Sequence, residues 1–311
     1  MTSTFERTVR RWIDSVSARH RRAIRDGLAI AGLVYLAYRF LVIAPQAGTV
    51  GADAFAYWNL DLQRPYSQPN GEIGAFLYTP PVARLFAFAT LVSWPQFWFL
   101  WTALLVGTCI WLGWRRTLLV LAFPPVALEL YYGNINLLLA GAIALGFRYP
   151  VAWTFVLLTK VTPGVGLLWF VVRREWRHLA IALGATVAIV AVSLVLDGRL
   201  WSEWLAALGR DAGVPLGGPL ASPLWLRLPI AAAIVVWGAR TDRPWTVPLA
   251  ATIAMPVVWL ASLSILSSTL AIGRNRRKPI SSQEGRVPDD GVTAEPADER
   301  DGHRVILASL D

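Results

Sequence analysis

Asp53 is the residue of this sequence best placed to act as a base on a substrate at a membrane surface. It lies in the polar segment after the first long apolar run, within residues 50–57. An ionised carboxylate within hydrogen-bond reach of a hydroxyl could accept its proton as the oxygen attacks a sugar carbon. Asp61 and Glu72 compete for this role, although Asp61 could instead pair with Arg64. The alternative for Asp53 itself is a solvated loop aspartate.

Lys160 is the second residue whose surroundings indicate chemistry. It lies in an apolar stretch, residues 155–163, that ends at Pro163. A lysine is costly to bury in a membrane and is a candidate functional residue there by default, and its compact charge suits a phosphate. The alternative is a lysine whose ammonium reaches the membrane interface while its stem stays among apolar groups. Because Pro163 predicts a break in the helix, we favour a site that binds an anion such as a lipid phosphate.

Two further segments could supply hydrogen bonds to a sugar or a phosphate. In the first, Gly133 permits a tight turn between two apolar runs. The adjacent Asn134 and Asn136 could bind such a ligand or could cap the following helix, and the sequence favours neither function. In the second, Tyr78 precedes a Pro-Pro pair that opens the next apolar run, and Tyr57 lies just after Asp53.

The composition predicts that membrane helices carry these residues. The chain has 311 residues, of which 55% are hydrophobic, and it contains 16 Trp. Continuous Leu, Ala and Val runs favour helices over the alternating pattern of a barrel. We therefore predict an all-α, polytopic transmembrane bundle with about 8–10 membrane segments, several of them short or broken. The predicted segments are residues 27–45, 80–93, 95–114, 117–131, 134–147, 149–172, 178–196, 223–239 and 246–272.

Prolines interrupt several of these apolar segments. Pro124, Pro125, Pro163 and Pro256 lie inside them. A broken helix is tolerated at membrane depth only where it is buried in protein or lines a water-filled cavity. The breaks therefore indicate a site within the membrane-embedded part of the chain.

The charge distribution predicts a membrane protein with a cytoplasmic basic face. The net charge is +9, nearly all from arginines that lie close to the ends of apolar runs. The positive-inside rule accounts for such clusters better than nucleic-acid binding does. Cys109 is the single cysteine, which excludes an internal disulfide, and the three histidines are too scattered for a histidine metal site.

The chain divides into three predicted regions. Residues 1–26 are basic and amphipathic and suit a cytoplasmic surface helix. Residues 27–273 form the transmembrane domain, with outer loops at 46–79 and 197–222. Residues 274–311 are rich in Asp, Glu, Gly and Pro and are predicted to be a disordered cytoplasmic tail.

Taken together, these motifs resemble the polytopic GT-C glycosyltransferases, specifically the bacterial family 87 group. The group includes mannosyltransferases that use polyprenyl-phosphate mannose. The matching positions are Asp53 in the first outer loop, Tyr78 with Pro80 and Pro81, Gly133 with Asn134 and Asn136, and Lys160 with Pro163. A late Pro-x-x-Trp-x-His motif is represented by Pro256, Trp259 and, in place of the histidine, Ala261.

The resemblance implies an inverting transfer of a hexose, mannose in the related enzymes, at the outer face of a bacterial plasma membrane. It implies that Asp53 is the base, that Lys160 holds the donor phosphate, and that Tyr57, Tyr78, Asn134, Asn136 and Trp259 line the substrate site. The donor would be a polyprenyl-phosphate sugar and the acceptor a lipid or a glycan, with no cofactor, no metal and no nucleic-acid partner. A transporter or flippase of a lipid-linked substrate and an inactive envelope scaffold are the competing hypotheses.

Overall fold

The computed structural model describes residues 18–69, 71–72, 74–211 and 222–276, and every regular element in those ranges is a helix. The predicted all-α class is thereby confirmed. The α-helices are α1 Ala18–Tyr38, α2 Ala44–Ala47, α3 Ala52–Trp58, α4 Pro80–Phe86, α5 Trp94–Gly113, α6 Thr117–Leu121, α7 Pro124–Tyr132, α8 Asn136–Gly146, α9 Trp153–Thr159, α10 Leu168–Val172, α11 Trp176–Asp211, α12 Leu224–Arg240, α13 Thr246–Ile253 and α14 Ser268–Arg276. A π-helical turn covers Arg39–Ile43, and 3-10 helices cover Ala87–Leu91, Trp114–Arg116, Pro150–Ala152, Thr162–Leu167 and Leu260–Ser267.

Both predicted terminal regions lie largely outside the described residues. The basic segment 1–26 is described only from Ala18 onward, where α1 begins. The predicted tail is described only as far as Arg276, the last residue of α14. The surface-helix and disorder predictions for the remaining residues stay predictions.

Within the described ranges, three helical stretches are long and apolar enough to cross a membrane. They are His20–Ala47, Trp94–Leu121 and Trp176–Arg210. A fourth candidate is the pair α7 and α8, which bend by 117° at the break between them. Shorter apolar helices cover Pro80–Leu91, Pro150–Thr159, Thr162–Val172 and Leu260–Arg274. The prediction that several membrane segments are short or broken is therefore confirmed.

Several of the helices carry a proline in their first turn. Pro80, Pro95 and Pro124 each lie in the first turn of α4, α5 and α7, respectively. Proline suits that position because its fixed φ matches a helix and its missing N–H would have no partner there. At α5, the backbone N–H of Ser93 also donates to the Gln96 side chain at 3.0 Å, which closes a capping box.

A buried arginine holds the break between α13 and the last 3-10 helix. The guanidinium of Arg227, on α12, donates to the carbonyls of Ile253, Met255 and Pro256 at 2.8, 2.7 and 2.9 Å. These bonds satisfy carbonyls that a continuing helix would otherwise have paired. The predicted interruption at Pro256 is present, and one arginine stabilises it.

Helix α11 extends beyond the predicted span. The span was expected to end at residue 196 and to be followed by an outer loop from 197 to 222. The backbone breaks at Asp197, with φ −146° and ψ 53°, but the chain is helical again as far as Asp211. The connection after the span thus begins as a kinked helical extension, and residues 212–221 lie outside the described ranges.

Candidate active site

Asp53 lies in the first turn of α3 and is half-buried. The turn before it is left-handed at Gly51, with φ +73°, and the Gly51 N–H donates to the Tyr131 carbonyl at 2.8 Å. This bond ties the start of α3 to the end of α7. A carboxylate in the first turn also has favourable interactions with the unpaired N–H groups at the start of a helix.

Aromatic rings hold α3 against its neighbours. The Tyr57 ring stacks on Phe86 of α4 with ring centroids 4.7 Å apart, and it meets Trp101 of α5 edge-on at 5.3 Å. Such offset and edge contacts are favourable arrangements of aromatic rings. The position of Asp53 therefore depends on the packing of α3, α4 and α5.

Asn134 holds Asp53 from the sharp bend between α7 and α8. Its amide nitrogen donates to a carboxylate oxygen of Asp53 at 2.7 Å, and its amide oxygen accepts the N–H of Ile135 at 2.7 Å. The bend needs glycine at 133, where φ is +70° and an added Cβ would lie 2.7 Å from the Cβ of Ala54. The predicted tight turn at Gly133 is confirmed.

Glu129 is a fully buried carboxylate that the sequence analysis missed. One of its oxygens accepts the backbone N–H groups of Asn136 at 2.5 Å and Leu137 at 3.2 Å. The other accepts the Asn136 side-chain amide at 3.1 Å. Glu129 thus caps α8, the role considered for the two asparagines. The signal that could have found it is a single acidic residue within an apolar membrane segment.

Lys160 lies at a break between α9 and the 3-10 helix that follows. Its backbone is extended, with φ −143° and ψ 103°, and Pro163 occupies the first turn of that 3-10 helix. The predicted break near Pro163 is therefore present. The Lys160 ammonium donates to the side-chain oxygen of Asn136 at 2.9 Å. A chain of hydrogen bonds consequently joins Glu129, Asn136 and Lys160.

The bend at residues 133–136 brings together a carboxylate and an ammonium that are far apart in the chain. Asn134 contacts Asp53, which lies 81 positions earlier, and Asn136 contacts Lys160, which lies 24 positions later. The two asparagines therefore hold a carboxylate and an ammonium on adjacent sides of one turn.

The surroundings of Asp53 favour its neutral, protonated carboxyl more strongly than bulk water would. Burial raises the pKa of Asp53 above its ordinary value of 3.8. The hydrogen bond from Asn134 and the positive charge of Lys160 act in the opposite direction and limit that rise. A base with a raised pKa holds an accepted proton more readily, which suits general-base catalysis near neutral pH.

The two predicted tyrosines lie together but are buried. The hydroxyls of Tyr57 and Tyr78 are 3.0 Å apart, and the Tyr78 carbonyl accepts the Tyr66 hydroxyl at 2.9 Å. Burial raises the pKa of both phenols, so both stay neutral. Next to Tyr78, the Thr79 hydroxyl donates to the Leu158 carbonyl at 2.6 Å and thereby ties α4 to α9 beside Lys160.

No hydrogen bond joins the remaining sequence candidates to this network within the described ranges. The Trp259 side chain is 54% exposed, and no hydrogen bond or ring contact joins it to another candidate residue within the described ranges. Asp61 and Glu72 are exposed. The alternative pairing of Asp61 with Arg64 is not formed in the described ranges, where the Asp61 carboxylate accepts the backbone N–H of Gln63 at 2.8 Å. In the same ranges, no cluster of three His, Cys, Asp or Glu side chains could hold a metal ion.

Comparison with known proteins assigns the chain to a family. The sequence profile of glycosyltransferase family 87 matches residues 76–268, which is more than half of the chain. The chain belongs to glycosyltransferase family 87. No curated protein and no solved structure matches it. Family membership and the apolar helices together make this protein a membrane glycosyltransferase, in agreement with the first hypothesis.

The matched region contains most of the network described above. It includes Asn134, Asn136 and Lys160, and also Glu129. The matched region begins after Asp53 and therefore does not include it. Asp53 is connected to that region by the hydrogen bond from Asn134 at 2.7 Å.

Proposed function

We propose that this member of glycosyltransferase family 87 transfers a hexose, mannose in the first instance, from a polyprenyl phosphate to a lipid or glycan acceptor. The observation that carries the proposal is that one bend contacts both a carboxylate and an ammonium. Asn134 donates a hydrogen bond to Asp53, and Asn136 accepts one from Lys160. A transferase of this kind needs a group that accepts the acceptor's proton and a cation that stabilises the leaving phosphate.

The proposed reaction is a single displacement at the anomeric carbon. The acceptor oxygen attacks that carbon from the side opposite the phosphate, and its proton passes to the Asp53 carboxylate. The bond between the carbon and the phosphate oxygen breaks, and polyprenyl phosphate leaves with the electron pair. Lys160 stabilises the negative charge on that phosphate, and the single displacement inverts the anomeric configuration.

A groove with a mostly apolar lining suits the polyprenyl chain of the donor. The groove has a volume of about 670 Å³ and lies between α4 and α11, lined by Pro81, Arg84, Ala188, Ile189, Val192, Ser193, Leu196 and Asp197. Pro81 is two residues beyond Thr79, which is bonded to α9 near Lys160. An isoprenoid chain in this groove would contact the exposed apolar side chains of α11, such as Val192 and Leu196.

The arginine clusters support an orientation in which the site faces outward across a plasma membrane. Arg21, Arg22 and Arg25 lie near the start of the first span, and the positive-inside rule places that end in the cytoplasm. Asp53 follows the opposite end of the same span. The outer face is where a lipid-linked sugar would be consumed under this proposal.

The deciding experiment is sugar transfer by purified protein in lipid, with polyprenyl-phosphate mannose as donor and a membrane lipid extract as acceptor. Asp53→Asn should lower the rate about a hundredfold to ten-thousandfold, the usual contribution of a general base. Asp61→Asn is the matched control, because Asp61 is an exposed carboxylate in the same segment, and it should retain the rate.

The outcomes of this experiment separate the hypotheses. Transfer by the unmodified protein and by Asp61→Asn, with none by Asp53→Asn, would support both the donor and the base. Transfer that survives in Asp53→Asn would refute the assignment of the base. No transfer from polyprenyl-phosphate mannose by the unmodified protein would refute the proposed donor and favour the inactive scaffold, and Ala261→His would then be the first variant to test.

A further inference from the structure

Arg39 occupies a position in the first candidate span that anchoring does not explain. The span covers His20–Ala47, and its basic cluster lies near the start, at Arg22 and Arg25. Arg39 follows Arg25 by 14 residues, a rise of about 21 Å along a helix. The positive-inside rule accounts for arginines at one end of a span only. An arginine near the other end needs a different reason to be there.

The contacts of Arg39 leave most of its hydrogen-bonding capacity unused. Its guanidinium carbon lies 4.1 Å from the centre of the Tyr131 ring and 5.7 Å from that of Tyr132. One terminal nitrogen donates to the Tyr132 hydroxyl at 3.3 Å. The Nε atom is buried and finds no hydrogen-bond partner among the described residues, nor does any of their carboxylates pair with Arg39.

An arginine with five N–H donors and no counter-ion is an expensive feature in a membrane segment. Stacking on two tyrosines compensates part of this cost by cation–π attraction. The remaining donors still favour an anion. The backbone supports the same view, because Arg39 begins the π-helical turn Arg39–Ile43, and single π turns within α-helices are frequent at functional sites.

Arg39 is also coupled to the candidate active site through Tyr131. The Tyr131 carbonyl accepts the N–H of Gly51, two residues before Asp53, at 2.8 Å, and its hydroxyl lies 2.9 Å from that of Thr49. Tyr131 therefore has the Arg39 guanidinium on its ring and the start of the Asp53 helix on its backbone. Arg39 is thus linked through one residue, Tyr131, to the start of the helix that carries the proposed base, Asp53.

We propose that Arg39 binds the phosphate of a lipid substrate at the end of the first span that adjoins Asp53. A guanidinium presents a planar fork that matches phosphate oxygens, and the membrane interface is where phosphates attached to apolar chains are found. The phosphate belongs either to the polyprenyl carrier or to a phospholipid acceptor. The inference rests on the proposed transferase function for the identity of these lipids, but its test uses binding alone.

The test measures binding of two tritiated lipids to purified full-length protein in an uncharged maltoside detergent. Undecaprenyl phosphate represents the donor side, and dioleoyl phosphatidylinositol represents the acceptor side. Arg39→Gln should weaken binding of one lipid about tenfold or more, because charge-assisted hydrogen bonds are lost. The matched control is Arg148→Gln, since Arg148 is exposed and also lies over a tyrosine ring, Tyr149, at 5.2 Å. The control should change neither affinity.

Each outcome decides the proposal. Weaker binding of undecaprenyl phosphate by Arg39→Gln assigns Arg39 to the donor site. Weaker binding of phosphatidylinositol assigns it to the acceptor site. Affinities within twofold of the unmodified protein for both lipids would overturn the proposal and leave Arg39 as a helix-end contact. If Arg39→Gln does not purify, Arg39→Lys decides, because the loss of the planar fork should still weaken binding several-fold. A binding loss together with no sugar transfer by the unmodified protein would contradict the transferase proposal and keep the Arg39 site.

Discussion

Exchange of Glu129 for glutamine should disturb the site although the side chain keeps its size. In the structure both carboxylate oxygens of Glu129 accept hydrogen bonds, one from two backbone N–H groups and the other from the Asn136 amide. In Glu129→Gln one of those oxygens becomes an NH₂ group, which cannot accept. If the new oxygen caps α8, the new NH₂ faces the NH₂ of Asn136, and two donors meet.

Relieving this clash of two donors would disturb the hydrogen bond of Lys160. Asn136 can avoid the clash only by turning its amide over, which places its NH₂ where its oxygen accepted the ammonium at 2.9 Å. Either arrangement loses at least one bond, and a hydrogen bond to a charged group is worth about 1.5–3 kcal/mol. Because 1.4 kcal/mol corresponds to a tenfold change, we expect kcat/KM for the lipid-linked donor to fall about tenfold to a hundredfold. The loss should appear mainly as a higher KM if Lys160 holds the donor phosphate.

The measurement is steady-state transfer at varied donor concentration, together with thermal unfolding in detergent to confirm that the variant is folded. Glu175→Gln is the matched control, since Glu175 pairs with Arg173 on a partly exposed surface at 3.0 Å. Such pairs contribute little, so both KM and kcat should stay unchanged. A Glu129→Gln protein with a KM and a kcat within twofold of the unmodified values would refute the idea that Glu129 acts through Asn136 on Lys160.

Two further substitutions test the bend itself. Asn134→Ala removes the hydrogen bond that lowers the pKa of Asp53, so that pKa should rise further. The acid limb of the pH–rate profile should then move to higher pH. An acid limb that does not move would contradict Asp53 as the titrating base. In Gly133→Ala the new Cβ meets Ala54 at 2.7 Å at a φ of +70°, and overpacking should cost about 1–3 kcal/mol beyond the backbone strain. Gly48→Ala isolates the strain, because Gly48 has φ +61° and open space around it. Equal unfolding temperatures for the two alanine variants would show that the contacts of the new Cβ with Ala54 and Trp98 are unimportant.

Local sequence patterns were sufficient for the class of fold and for the positions of its breaks. The length of the apolar runs predicted membrane helices, and Pro163 and Pro256 predicted interruptions that the structure contains near both residues. These predictions succeed because both effects are local. A proline disrupts only the helical turn in which it lies, and a membrane requires each segment to satisfy its own backbone hydrogen bonds. Asp53 and Lys160 could be singled out for the same reason, since each is a charge beside or within an apolar run.

The partners of those charges could not be predicted in the same way. Glu129 has an equally exceptional setting, yet the sequence offers no sign that its carboxylate caps the next helix across a bend of 117°. The sequence also left open whether Asn134 and Asn136 cap a helix or contact other polar groups. Which polar groups the two asparagines contact depends on how α3 and α9 pack against the bend.

The sequence alone determined that this protein is a bundle of interrupted apolar helices with a few isolated charges, because those features depend on composition and on neighbouring residues. Only the tertiary structure decided that Asp53, 81 positions before Asn134, and Lys160, 24 positions after Asn136, meet at one turn. The physical reason is that helix packing brings distant residues together. Such packing depends on close contacts such as that of Gly133 with Ala54, which no local pattern specifies.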